Sequence, residues 1–218
     1  MSAIAYVNIR VTGEDAFGFL QAQLSNDLQR LESEAEILAA WCNPKGRVIW
    51  FGTVSKLEPG YALSAPPDMA EEIVEGLARF RFRSKVEFAI EAGGSVDPAF
   101  LVSNGFVYIG KDQSGKFTPH MLNLDLVDAV SFDKGCYPGQ EIVARTHYRG
   151  ATKRRCLRFG STTPAHAGDK VSDGSRDVGE VVNAIGNELL AVVPVDGDMS
   201  VLSVNGNALL NLPLPYFE

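Results

Sequence analysis

The most informative stretch of this sequence is Lys134-Gly135-Cys136-Tyr137-Pro138-Gly139-Gln140-Glu141, which continues as Ile-Val-Ala-Arg to residue 145. Two glycines and a proline surround a single cysteine. Glycine allows the backbone to approach a ligand closely, and Pro138 and Glu141 suit the first turn of a helix. The pattern therefore predicts a tight turn that places Cys136 just before a helix N-terminus.

This turn allows two interpretations of Cys136. A helix N-terminus and the neighbouring Lys134 would favour the thiolate over the thiol, which is how reactive cysteines are activated. The plainer alternative is a small buried thiol in a tight turn, and the local residues alone favour it. A Cys–His nucleophile pair with His120 or His147 is a further option, but no sequence signature supports it.

Upstream of the turn, the sequence predicts a region of mixed α and β structure. One helix is expected after Asp15, because Phe17, Leu20 and Leu24 fall at helical spacing. A second is expected after Asp68, where Met69, Ile73, Leu77 and Phe80 share a face. Alternating residues predict strands at 6–11, 37–41, 47–54, 86–90 and 106–109, with a break at 92–95.

Downstream of residue 150 the pattern changes to short β-rich stretches. Residues 178–182 and 189–195 are separated from their neighbours by glycine–aspartate turns, which is typical of a small barrel or sandwich. We therefore expect two domains, an α+β body at 1–150 and a β domain at 151–218.

The composition is that of an ordinary globular chain of 218 residues, 45% hydrophobic and 22% charged. Neither a membrane-crossing apolar run of ~20 residues nor a signal-peptide pattern is evident, so a cytoplasmic protein is expected. Cys42, Cys136 and Cys156 are odd in number and far apart. They predict neither a disulfide framework nor a metal site, and this chain is not expected to hold an iron–sulfur cluster alone.

The net charge of −7 argues against broad nucleic-acid binding, and direct contact with nucleic acid is not expected. The charge is uneven along the chain, because residues 144–159 contain six lysines and arginines and no acid. This segment is either an anion-binding rim or a solvated basic surface, and the sequence favours neither.

The stretch from Lys134 to Glu141 resembles the signature of the YgfZ family, lysine-glycine-cysteine-aromatic-any-glycine-glutamine-glutamate. Further similarity spans nearly the whole chain. It includes Thr12-Gly13-Glu14-Asp15 with Asn26-Asp27, the turn at Lys45-Gly46-Arg47, and Leu214-Pro215-Tyr216. The chain is shorter than many family members, and the shortfall is expected between residues 91 and 104.

The resemblance implies a ferredoxin-like α+β body, related to the glycine-cleavage T-protein, and a C-terminal β-barrel. The same resemblance implies a central channel that accepts tetrahydrofolate. It also implies a role in assembly or repair of iron–sulfur enzymes, including one that thiomethylates tRNA. The expected partners are thus reduced folate and, transiently, such client enzymes. Cys136 with Lys134 is the expected functional thiol. The expected folate-binding residues are Tyr6, Asn26, Asp27, Trp50, Gly135, Tyr137, Gln140, Glu141 and Arg145.

An aminomethyltransferase like the T-protein is the rival interpretation, and it needs a carboxylate beside the folate nitrogen. The T-protein has an Asp-Asp pair where this chain has Trp50-Phe51. Aromatic rings suit a flat pterin but cannot exchange a proton. Neighbouring strand residues face opposite sides, so one of the two rings is expected in the core. A third alternative is a non-catalytic interaction module that presents the basic segment.

Overall fold

A computed structural model describes residues 3–150 and 152–217. The N-terminal part contains one antiparallel sheet of five strands, in the spatial order β2-β3-β4-β1-β5. Its strands are β1 (Ile4–Thr12), β2 (Glu36–Cys42), β3 (Val48–Lys56), β4 (Tyr61–Ala65) and β5 (Glu87–Val96).

One face of this sheet is covered by helices α1 (Ala16–Gln23) and α2 (Ala70–Ala78). Leu20 from α1 and Ile73 from α2 are fully buried against Trp50 and Leu63 of the sheet. In α2 the buried residues Ala70, Ile73 and Leu77 recur at helical spacing, so burial of one stripe explains why this segment is helical.

The other face of the sheet packs in a second core, which also includes residues of three barrel strands, whereas the rest of the barrel buries a third cluster of its own. Phe51 and Ala40 from the sheet are buried in the same cluster as Cys156 and Leu190 from the C-terminal strands. Helices α3 (Pro98–Asn104) and α4 (Gln140–Arg149), with the largely irregular chain between them, complete this layer. The N-terminal and C-terminal parts of the chain thus share one core.

The C-terminal part closes into a six-stranded barrel in the order β10-β11-β6-β9-β8-β7. This arrangement confirms the predicted fold class, an α+β body followed by a small barrel. The division into domains at residue 150 stays a prediction. The barrel strands are β6 (Arg154–Ser161), β7 (Lys170–Ser172), β8 (Asp177–Ile185), β9 (Glu188–Pro194), β10 (Ser203–Val204) and β11 (Asn207–Leu212).

The predictions for residues 92–95 and 106–109 were wrong. The expected break at residues 92–95 lies inside β5, where the register shift leaves one extra residue on β5 opposite β1. Gly93 permits the close approach of the two strands, since a Cβ there would lie 2.3 Å from the Tyr6 carbonyl oxygen. The expected strand at 106–109 is irregular, because the backbone of Tyr108 pairs with the side chain of Asn183 instead of another strand.

No helix among the described residues is long and apolar enough to cross a membrane.

Candidate functional site

A cavity of about 480 Å³ lies between the second face of the first sheet and the chain at residues 100–108. Aromatic side chains dominate its lining. They are Tyr6 from β1, Phe51 from β3, Phe100 from α3, and Phe106 and Tyr108 from the segment that follows α3. Its volume falls in the range typical of sites for small organic ligands.

The alternation of side chains along β3 decides which ring reaches the cavity. Phe51 lines it, whereas Trp50 points to the opposite face, fully buried against α1 and α2. The indole Nε1 of Trp50 donates a hydrogen bond of 2.8 Å to the Ser64 carbonyl oxygen. The strand pleat thus directs Trp50 into the core, as expected for one of the two rings, and Phe51 toward the cavity. Trp50 does not line this cavity, and its assignment as a folate ligand stays a prediction.

The barrel fixes the opposite wall of the cavity. The amide side chain of Asn183, on β8, accepts from the backbone N–H of Tyr108 at 2.8 Å and donates to its carbonyl oxygen at 2.9 Å. The rings of Phe100 and Phe106 are stacked, with centroids 6.3 Å apart. The Tyr216 hydroxyl donates to the carbonyl oxygen of Gly105 at 3.0 Å, which fastens the end of α3.

Tyr6 owes its position to a glycine on the neighbouring strand. A Cβ at Gly94 would lie 2.8 Å from the Tyr6 hydroxyl oxygen and 3.1 Å from its Cζ. The absent side chain therefore leaves room for the Tyr6 ring at the edge of the cavity.

Few polar groups line the cavity. Ser64 and Thr53 are already hydrogen-bonded to each other at 2.9 Å between their hydroxyl oxygens. Burial raises the pKa of Tyr108, so its phenol is a neutral donor at pH 7. Among the described lining residues, Glu36 carries the one carboxylate, and its side chain is exposed at the rim.

The signature segment lies elsewhere, against the turn between β2 and β3. Gly139 is the N-cap of α4 with a φ of 79°, and a Cβ there would lie 2.5 Å from the Asn43 carbonyl oxygen and 2.7 Å from the Gly46 Cα. This close approach requires glycine at residue 139. The signature therefore holds α4 close to the hairpin.

Lys134 is buried, with 8% of its surface exposed. Its Nζ donates to the carbonyl oxygens of Leu24 at 2.6 Å, Asn26 at 3.1 Å and Gln21, all at or just beyond the C-terminus of α1. Burial lowers the pKa of this amine to about 8. The ammonium is therefore committed to the end of α1, and activation of the Cys136 thiolate by Lys134 stays a prediction.

The three cysteines differ sharply in environment. Cys136 is exposed, whereas Cys42 and Cys156 are buried. Burial raises the pKa of Cys42 and that of Cys156 to about 12. Cys136 precedes the α4 N-cap by three residues, slightly farther than the sequence suggested. It is the accessible thiol of the described chain.

The remaining predicted ligands do not line the cavity. Asn26 is fully buried, and its Nδ2 donates to the Leu38 and Asp128 carbonyl oxygens. Asp27 accepts from the Gln21 side chain and the Gln29 backbone. Tyr137 is buried, and burial raises its pKa. Gly135, Gln140, Glu141 and Arg145 lie partly or fully exposed along the signature turn and α4.

Of the predicted folate ligands, Tyr6 alone is placed at the cavity among the described residues. The sequence did not single out Phe100, Phe106 or Tyr108. The alternation of Phe106 and Tyr108 with Val107 was a signal for side chains on one surface, but which surface they reach depends on packing against α3 and the barrel.

Comparison with known proteins is consistent with this architecture. A chain of Haemophilus influenzae described as an uncharacterized protein is 30% identical over 210 residues, covering 77% of this chain and 75% of that one. The tRNA-modifying protein YgfZ of Escherichia coli is 27% identical over 293 residues, covering 94% of this chain and 89% of the relative. The chain belongs to the YgfZ family. No family model matches it.

The fold of this chain is also seen in a solved structure. The glycine cleavage system aminomethyltransferase T from Bartonella henselae superposes with a TM-score of 0.73, covering 99% of this chain and 85% of that chain at 12% identity. The alignment to YgfZ spans 293 positions although this chain has 218 residues, so part of that relative has no counterpart here. Residues 91–104, where the shortfall was expected, form the end of β5 and α3.

Proposed function

We propose that this chain is a tetrahydrofolate-binding protein that acts in tRNA modification by supporting the assembly or repair of iron–sulfur enzymes. The observation that carries the folate assignment is the cavity lined by five aromatic side chains. The name of the Escherichia coli relative, tRNA-modifying protein YgfZ, supports the proposed role in tRNA modification.

The cavity suits a pterin in three respects. Its aromatic rings offer flat apolar surfaces for a flat heterocycle. The Tyr6 and Tyr108 hydroxyls provide hydrogen-bonding groups at the edge of those surfaces. Bound tetrahydrofolate would supply a carrier for one-carbon groups, and Tyr6, Phe51, Phe106 and Tyr108 are the residues that would hold it.

Binding without aminomethyl transfer is the favoured form of this proposal. Transfer needs a carboxylate deep in the site, and the ring of Phe51 lies where β3 meets the cavity. Glu36 is the carboxylate that an aminomethyltransferase would have to use, and it lies at the exposed rim. A Glu36→Gln variant therefore tests the rival enzyme directly. It should leave folate affinity unchanged, so any loss of aminomethyl transfer would report on the carboxylate alone.

Support of iron–sulfur enzymes is proposed to use Cys136. Two of the three thiols are buried with pKa values raised to about 12, so only the exposed thiol is available to a client protein. Cys136 lies on the signature turn and not in the folate cavity. The proposal therefore places folate binding and thiol chemistry on different surfaces.

Calorimetric titration with tetrahydrofolate tests the proposal. Wild-type protein should bind, and Tyr108→Ala should weaken binding about tenfold, because it removes one stacking surface. Gly94→Val should weaken it as well by displacing the Tyr6 ring. Phe82→Gly, at an exposed aromatic on the other face of the sheet, is the matched control and should bind normally. Absence of binding to the wild-type protein would reject the folate assignment.

A further inference from the structure

A strip of alternating basic and aromatic residues follows α2. It reads Arg79-Phe80-Arg81-Phe82-Arg83, and all five residues are exposed. The side chain of Phe82 is 88% exposed and that of Phe80 is 39% exposed. We refer to residues 79–83 as the aromatic–basic strip. Its two rings stand free of the core that buries the rest of this region.

Phe82 also adopts an unfavourable backbone conformation. Its φ is 44°, in the left-handed region that is costly for a residue with a bulky side chain. The cost is not offset by burial, because the ring faces solvent. Such a residue is held in place by its surroundings, and conformations of this kind concentrate at functional surfaces.

The strip borders a groove of about 1040 Å³. A third exposed ring, Phe17 from α1, lines the same groove together with Phe80 and Phe82. Gln23 also lines it, with 8% of its surface exposed, and its Oε1 has no hydrogen-bond partner within the described chain. A buried acceptor left without a donor marks a position where a ligand could supply one.

The charges around the groove favour an anionic partner. In the part of the chain that the structure describes, Arg79, Arg81 and Arg83 form no ion pair. Both acids that line the groove, Glu14 and Asp15, contact Lys85. Glu14 pairs with Lys85 at 2.6 Å, and the Asp15 carboxylate accepts from the Lys85 backbone N–H at 2.7 Å. Three guanidinium groups whose charge is not neutralised by a neighbouring acid therefore alternate with exposed rings.

We propose that the aromatic–basic strip binds unpaired nucleotides of RNA. Bases would stack on the rings of Phe17, Phe80 and Phe82, and the arginines would bind phosphates, which is how proteins bind single strands. The Gln23 Oε1 would accept a hydrogen bond from an exocyclic amino group, which adenine has and uracil lacks. The strip thus favours adenine over uracil.

This surface is separate from the proposed folate site. Helices α1 and α2 cover the face of the sheet that carries Trp50, whereas the cavity lies on the face that carries Phe51. The negative net charge predicted no direct nucleic-acid contact, but that argument averages over the whole chain. The local arrangement of residues 79–83 revises it.

Fluorescence anisotropy of labelled single-stranded oligoadenylate and oligouridylate tests the proposal. The wild-type protein should bind oligoadenylate more tightly, with an affinity that falls as salt rises. Phe82→Gly should weaken binding about tenfold. The same variant should unfold at an equal or higher temperature, because glycine tolerates the φ of 44°. Loss of binding would then not reflect loss of folding.

Further variants separate the parts of the strip. Arg81→Gln with Arg83→Gln should reduce the salt slope by about two, one for each arginine that no longer neutralises a phosphate. Gln23→Leu should reduce the preference for adenine. Tyr148→Ala is the matched control, since its ring is 65% exposed within the other basic segment, on α4. That control should bind as the wild type does.

Three results would overturn the proposal. The first is that the wild type and the strip variants bind RNA with equal affinity. The second is that Tyr148→Ala alone loses binding. The third is that the wild-type protein binds neither oligonucleotide at low salt. The strip variants should all bind tetrahydrofolate normally, and Tyr108→Ala should bind RNA normally. The two proposals can therefore fail independently.

Discussion

At the scale of single residues, Lys134 illustrates how one buried cation can stabilise a helix end. The last carbonyl groups of a helix lack partners within it. Here the ammonium of Lys134 satisfies three carbonyl oxygens at the end of α1 and lies 5.5 Å from the centroid of the Tyr137 ring. The lysine of the signature is therefore part of the framework that supports the turn.

Replacing Lys134 with methionine should lower the free energy of unfolding by about 2 kcal/mol, because buried carbonyl oxygens would be left without donors. Urea denaturation measures this change. Lys153→Met, at an exposed lysine, is the control and should change stability by less than about 0.5 kcal/mol. Equal stabilities of the two variants would contradict the capping role.

Cys136 should be the most rapidly alkylated of the three thiols in the folded protein. It is exposed, whereas Cys42 and Cys156 are buried and keep their protons up to about pH 12. Iodoacetamide labelling followed by peptide mass analysis distinguishes the three sites. Faster labelling of Cys42 than of Cys136 would contradict this prediction.

Cys136→Ser tests whether the exposed thiol is needed for function. Folding and folate affinity should remain nearly intact, because the thiol faces solvent away from the cavity. Support of iron–sulfur enzymes in cells that lack the native protein should be abolished. Full complementation by the variant would show that the signature acts through its backbone alone.

At the scale of elements, most helices and strands could be predicted from periodicity. The first strand, the hairpin around residues 43–46 and the two helices on the sheet lie close to their predicted positions. Strand β4 was missed, and Phe80 lies beyond the end of α2 instead of on its buried face. Periodicity identifies a stripe that one partner buries, but it does not show where a helix stops.

The cavity could be predicted only in part, for a physical reason. Tyr6 and Phe51 belong to strands, whose alternation assigns side chains to faces. Phe106 and Tyr108 belong to an irregular segment whose path depends on Asn183, which is 75 residues away in sequence. Local patterns contain no information about such a long-range hydrogen bond. The same limit applies to Lys134, whose partners lie more than 100 residues away.

Asn183→Leu tests whether the barrel positions the cavity wall. The variant removes both hydrogen bonds to the Tyr108 backbone, so the wall should loosen and tetrahydrofolate affinity should fall about fivefold to tenfold. Calorimetric titration measures the affinity. Asn205→Leu, at a barrel residue with a positive φ whose side chain donates to Asp169, is the control and should leave affinity unchanged.

At the scale of the whole molecule, the shared core makes stability depend on pH through two thiols. Folding raises the pKa of Cys42 and Cys156 from 9.0 to about 12. Between those values the unfolded chain releases the thiol protons and the folded chain keeps them. Stability is therefore full below pH 9 and falls as pH rises toward 12.

The size of this effect can be measured for one thiol. Each buried thiol contributes a slope of up to about 1.4 kcal/mol per pH unit in this window. The free energy of unfolding of Cys42→Ala should therefore decline less steeply than that of the wild type. Cys136→Ala is the control, because its thiol is exposed in the folded state. Parallel declines in all three proteins would exclude this account.

The hydrogen bond between Tyr216 and Gly105 also determines when the cavity wall can become ordered during synthesis of the chain. The end of α3 and the cavity wall beside it emerge from the ribosome 111 residues before the tyrosine that fastens them. Asn183, which fixes Tyr108, also emerges late. The first sheet can form early, but the wall opposite it gains its anchors only after Asn183 and Tyr216 have been synthesised. Under the proposed function, tetrahydrofolate would therefore bind only after both anchors of the cavity wall have formed.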